Sequence, residues 1–140
     1  VKKRERQAGL ARMRAYVATL VPLLYLQHWQ IVVMDEPPPD ALADNCCYMR
    51  QYRNDLRFSD RFFGKSLEEQ RQTVVHELLH IVVEHWYRST RAAFEGLSST
   101  SKEWATERNE HEMALCVDML SRIVAPYLPL PPTAPLAAKE

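Results

Sequence analysis

The chain has no excess charge of either sign: 18 lysines and arginines face 18 aspartates and glutamates. An even balance gives no electrostatic pull towards nucleic acid, an anionic membrane or an acidic partner. The one local exception, "KKRER" at residues 2–6, has no interleaved aromatics and leads straight into a helical pattern, so it reads as a solvated helix start. Cysteine is almost as uninformative. Cys46 and Cys47 are adjacent and Cys116 is far away, which makes no disulfide framework and lacks the Cys-x-x-Cys spacing of a structural zinc site. Reduced thiols in a cytosolic protein are expected. No apolar run is long enough to span a bilayer. "AYVATLVPLLYL", residues 15–26, follows basic residues as a secretory signal would, but no small-x-small cleavage site follows it. Internal repeats are absent. A chain of 140 residues can bury one core unaided, so a single domain over residues 1–125 is expected. Five prolines in the next ten residues predict a proline-rich tail over 126–140, extended or disordered rather than folded into the core.

What is present is an α+β pattern. Leu10, Met13, Val17, Leu20 and Leu24 recur at helical spacing, predicting a first helix over 4–21, stopped or kinked by Pro22. "WQIVVM" at 29–34 is β-branched and aromatic, and "DEPPPD" closes it. "NCCYMR" at 45–50 and "DLRFS" at 55–59 supply two more strands, the second with Leu56 and Phe58 inward and Arg57 and Ser59 outward. Pairing of neighbours predicts a small three-stranded sheet. Ser66 and Glu69 form a capping box that opens a helix to about Arg88, and Thr100 with Glu103 opens another that runs to Val124. "STRAAFEGLSS" between them holds one of only three glycines and reads as a loop.

Within the helix that Ser66 caps, His76, Glu77 and His80 spell His-Glu-x-x-His. Positions four apart share a helix face, so both imidazoles can reach one zinc ion, and Glu77 is placed to take a proton from a metal-activated water. Val74, Val75, Leu78, Leu79, Val82 and Val83 flank the motif and can bury the helix around it. Two half-buried core histidines with no metal are the plain alternative.

A catalytic zinc takes three protein ligands. His85, nine residues after His76, falls on the opposite side of the helix; Glu84 lies about 12 Å along the axis from His76. The third ligand is therefore expected from the final helix, in "ERNEHEMALCVD". Val124, Leu120, Val117 and Met113 recede by threes and fours, and the next step on that face is Glu110. A carboxylate in line with a core stripe is costly unless paired or metal-bound, which makes Glu110 the first choice. Glu112 is the close alternative, His111 the third.

These segments resemble the zincin metallopeptidases, within them the glutamate-ligand gluzincins, in a very small form. "HWQIVVMDEPPPDALA" and "LRFSDRFFGKSLEEQRQTVVHELLHIVVEHW", followed by a glutamate-rich helix, are more closely similar to short metallopeptidase-like proteins of phages and prophages. The resemblance spans residues 28–124, and His-Glu-x-x-His is its one sharp motif. It implies an intracellular, zinc-dependent endopeptidase, with the motif helix beneath a small sheet whose edge strand pairs with a peptide or protein substrate; "DLRFS", 55–59, is the matching segment. The pattern departs where the family carries an aspartate four residues after the ligand, since Ala114 follows Glu110 and Cys116 follows Glu112. No histidine or tyrosine is assignable to the oxyanion from the sequence; Tyr87 and Tyr127 are candidates without a motif behind them. The expected reaction is peptide hydrolysis at zinc held by His76, His80 and Glu110, with Glu77 as general base. The rival expectation is a zinc-stabilised module that binds through its surface.

Overall fold

The structure, a computed structural model, describes residues 3–133. It is an α+β fold: α1 (Lys3–Leu23), β1 (Gln30–Val33), β2 (Ala43–Tyr48), β3 (Arg53–Phe58), α2 (Asp60–Phe63), α3 (Leu67–Ala93) and α4 (Ser99–Val124). Single 3-10 turns lie at Met49–Gln51, Phe94–Gly96 and Ala125–Tyr127. Among the described residues no helix is long and apolar enough to cross a membrane.

α3 is the central element. Val74, Val75, Leu78, Leu79 and Ile81 bury it against α4 on one side and β2 on another, in one cluster with Leu10, Met13, Tyr16, Val17 and Leu20 of α1 and Leu56 and Phe58 of β3. Each such side chain contributes about 1.5–3 kcal/mol by leaving water. The helix begins where expected: Ser66 Oγ accepts from the Glu69 amide and the Glu69 carboxylate accepts from the Ser66 amide. It then runs five residues past Arg88 to Ala93. Ser-Thr-Arg-Ala-Ala contains no residue that breaks a helix, so the expected loop shrinks to a tight hairpin tip. α4 likewise starts one residue before Thr100, capped by Ser98 Oγ accepting from the Ser101 amide.

Pro22 does not end α1. The helix includes it and stops in a Schellman motif: the Leu26 amide donates to Val21 O (2.9 Å), the Tyr25 amide to Pro22 O (3.3 Å), and Tyr25 takes the left-handed φ of 57°. At the other end Arg6 donates to the Asp60 carboxylate (2.6 Å) and to Asp35 O (2.7 Å), while Arg14 donates to Asp35 (2.7 Å), so α1 is pinned to the exit of β1 and the start of α2. Gly9 permits the contact there; a Cβ would lie 2.7 Å from the Phe63 ring.

The sheet order corrects the neighbour rule. It is β1-β3-β2, with β1 parallel and β2 antiparallel to β3. The proline-bearing connection after β1 carries the chain past the centre to the far edge, and β3 returns between the two. "DLRFS" is therefore the middle of the sheet, hydrogen-bonded on both sides, and has no free edge for a peptide; the edges belong to β1 and β2.

The proline-rich segment also departs from expectation. As far as Thr133 it is extended but docked: Tyr16 Oη donates to Pro129 O (2.7 Å), Arg71 donates to Leu128 O (3.1 Å), Leu128 packs on the core and Pro131 is buried. Burial pushes the Tyr16 phenol up to about 12, so it stays a donor at all ordinary pH. Residues 134–140 of the expected tail lie outside the described residues.

Ser66→Ala is expected to cost about 1 kcal/mol, read as a lower urea midpoint at unchanged slope. The cap has a pH signature. Its backbone and side-chain hydrogen bonds hold the Glu69 carboxyl below the usual carboxylate range, so this stabilisation is present at neutral pH and is lost as pH falls through that lowered value. The gap between wild type and Ser66→Ala should narrow in acid.

Candidate metal centre

The fourth-residue spacing of α3 brings the two motif histidines together. Their Nε2 atoms are 3.3 Å apart and the rings meet edge to face, with centroids 5.0 Å apart. Two nitrogens bound to one tetrahedral zinc at 2.0–2.1 Å are separated by about 3.3–3.4 Å. The pair therefore already has the bite such an ion needs. Both rings are partly buried. Desolvation pushes His76 below the usual imidazole value, against a raising influence from Asp118 on α4; desolvation and then His76 push His80 down to about 4. The rings are neutral at physiological pH, the form that binds metal.

Glu77, one residue along, reaches β2 with its carboxylate and is only 9% exposed. Burial raises its carboxyl to about 6, a hydrogen bond from Asn45 opposes that, and Asp44 adds to it. Asn45, on β2, donates from Nδ2 to Glu77 Oε2 at 2.7 Å. Its own Oδ1 accepts from Nδ2 of Asn54 (3.2 Å), a completely buried residue of β3 whose Nδ2 also faces Cys47 Sγ at 2.9 Å. The Cys47 thiol is itself driven up to about 11 by burial, so it stays protonated. Neither asparagine is evident from motif spacing. One signal was there: the inward alternation of Leu56 and Phe58, stepped back by two, lands on Asn54, a polar residue in a core position.

α4 does not present the residues its sequence pattern suggested. The buried positions are Ala105, Asn109, Val117 and Ser121, so Asn109 takes the core-facing place expected of Glu110. Glu110 is exposed and accepts from Tyr87 Oη at 3.0 Å, two turns of α3 beyond His80. Glu112 pairs with Arg108 and His111 is exposed. The antiparallel register is fixed by Gln72 to Ser121 (2.7 Å) at one end and Tyr87 to Glu110 at the other. Between these two contacts Asp118 lies near enough to His76 to act on it electrostatically. Asp118 is half-buried and tied to Arg122 at 2.9 Å. Among the described residues no group of three or more histidine, cysteine, aspartate or glutamate side chains is drawn together in a metal-holding arrangement. His85 is exposed and lies against Trp29 and Tyr52, and Glu84 pairs with Arg88, so both stay clear of the pair as helix geometry required. Tyr87 Oη donates to Glu110 and Tyr127 is exposed.

Compared with family models, with curated proteins and with solved structures, the chain shows no match.

The neutral rings make a testable statement. In metal-free protein the His80 ring should titrate near 4, followed by ring NMR; titration near the ordinary 6.5 would contradict its burial. Its lowered value means a contribution to stability that is present above 6.5 and lost as pH falls towards 4. Glu77 works the other way: its contribution is present below the ordinary 4.5 and lost as pH rises through about 6.

Proposed function

We propose that this protein is a zinc-dependent metallopeptidase of minimal gluzincin-like form, with His76 and His80 as ligands and Glu77 as general base. One observation carries the reading. A histidine pair with the bite of a tetrahedral ion stands on the same helix as an adjacent buried carboxylate, and that carboxylate is held by an amide from an edge strand. Ordinary core histidines need no such carboxylate, and a purely structural zinc has no use for a base.

The metal, when bound, supplies Lewis acidity that makes a water acidic and polarises a peptide carbonyl. Glu77 takes the proton from the attacking water and returns it to the leaving amine, a shuttle suited to a carboxyl whose affinity for protons burial has raised towards neutrality. Among the described residues β2 pairs with no strand but β3; on its outer edge Cys47 O accepts from Arg88 at 3.4 Å, and the strand runs beside Glu77. An extended peptide would add there as a further strand, its scissile bond level with the histidines. The free thiols of Cys46, Cys47 and Cys116 suit a reducing, intracellular setting.

The third ligand is an α4 carboxylate, and two compete. Glu110 would have to leave Tyr87 and travel along the helix; Asp118 already acts on His76 electrostatically and would have to leave Arg122. Asp118→Asn is expected to weaken zinc binding at least about tenfold in a competition titration, and Glu110→Gln to keep wild-type affinity. The opposite result restores Glu110.

A zinc-stabilised binding module is the second reading, favoured by the engagement of Glu110 elsewhere. A quenched fluorescent peptide library separates the two. Wild type should cleave, and Glu77→Gln should lose about 10²-fold or more in rate while still binding zinc. Equal rates for the two proteins, or none from either, would leave only the binding module.

A further inference from the structure

We infer that Asn45 and Asn54 form a one-directional amide relay that positions the Glu77 carboxylate, with Asn54 fixing Asn45 and Asn45 fixing Glu77. The inference rests on the reading of Glu77 as a base and adds two positioning residues to that site.

Asn54 is at a place where the fold calls for an apolar side chain. It belongs to the central strand, on the face shared with Leu56 and Phe58, and it is completely buried. A buried amide costs free energy unless its groups are bonded, and this one is bonded on one side only: Nδ2 donates, while Oδ1 has no partner among the described residues. A valine there would pack without that cost. The fold tolerates the amide, and what the amide reaches is Asn45.

The hydrogen bonds have a fixed direction. Glu77 Oε2 needs a donor, so Asn45 must turn Nδ2 towards it at 2.7 Å, which turns Oδ1 back into the sheet. That oxygen then needs a donor: Asn54 Nδ2 supplies the shorter bond at 3.2 Å, and the Cys47 thiol a longer one at 3.7 Å. With Glu77 ionised, flipping either amide would place oxygen against oxygen, so each amide then has one allowed orientation. β2 and β3 hold the register that makes this possible, since Asn45 pairs with Leu56 and Cys47 with Asn54, putting both asparagines on the α3 side of adjacent strands. The relay engages Oε2 and leaves Oε1 outside it. A neutral donor at this point orients the carboxylate without placing a full positive charge beside it, as lysine or arginine would. The relay also joins the base to β2, one of the two edge strands, so a peptide added to that edge would be registered against the same residue that orients Glu77.

The relay could instead be no more than a lock between β2 and β3, and the test separates the two roles. In metal-free wild-type protein, the side-chain amide signals of Asn45 are expected to shift on Glu77→Gln and on Asn54→Ala. Unchanged signals in both variants would overturn the relay, whatever the activity. With zinc-loaded protein and the quenched peptide library, Asn45→Ala should lose about 10- to 100-fold in kcat, with KM and zinc affinity near those of wild type. Asn45→Asp keeps the size, loses the donor and should lose at least as much. A lock would lower the unfolding midpoint and leave kcat of the folded variants intact, and that result sinks the positioning role. Absence of Glu77-dependent cleavage by wild type would remove the base itself and the relay's purpose with it; cleavage by wild type that Asn45→Ala leaves untouched would remove the relay alone.

Discussion

The burial of Glu77 is the constraint on which this arrangement turns. A carboxylate placed between an apolar helix and a sheet costs several kcal/mol unless it is hydrogen-bonded or neutralised. This one is nearly covered, and the side chain that satisfies it comes from β2. That requirement sets the distance between β2 and α3, the face that Asn45 presents, and the buried amide of Asn54 behind it. Move β2 away and the carboxyl either takes up a proton or draws water into the core.

The same desolvation acts on the two histidines with the opposite consequence. Burial disfavours their cationic form, so they stand as neutral donors whose Nε2 atoms converge. Adjacent positions of one helix thus carry a group whose proton affinity is raised and groups whose proton affinity is lowered. α3 can do this because its middle turns are enclosed by α4, β2 and the α1 cluster, while its last turns run out as a hairpin with α4. Core and candidate site are different faces of the same roughly two turns.

Much of this was legible in the residues. Periodicity located α1, the three strands and both long helices, and the Ser66 box appears in full. His76, Glu77 and His80 fall together because a helix brings positions four apart onto one face, a local rule that needs no tertiary information. What depended on long-range packing was less readable. "DLRFS" became the central strand because a parallel partner arrived from before β2, which strand propensity does not encode. Glu110 missed the core by one position: a stripe stepping back by threes and fours drifts in phase over four turns, and Asn109 fills the place instead. Asn45 and Asn54 carry no motif, only polarity where alternation calls for an apolar side chain.

The most direct test of the central claim is the zinc content of untagged protein, with His76→Ala and His80→Ala alongside. Close to one equivalent is expected in wild type and loss in both variants, all three remaining folded. Folded wild type with no zinc after exposure to a slight excess, or zinc retained when both histidines are removed, would contradict it.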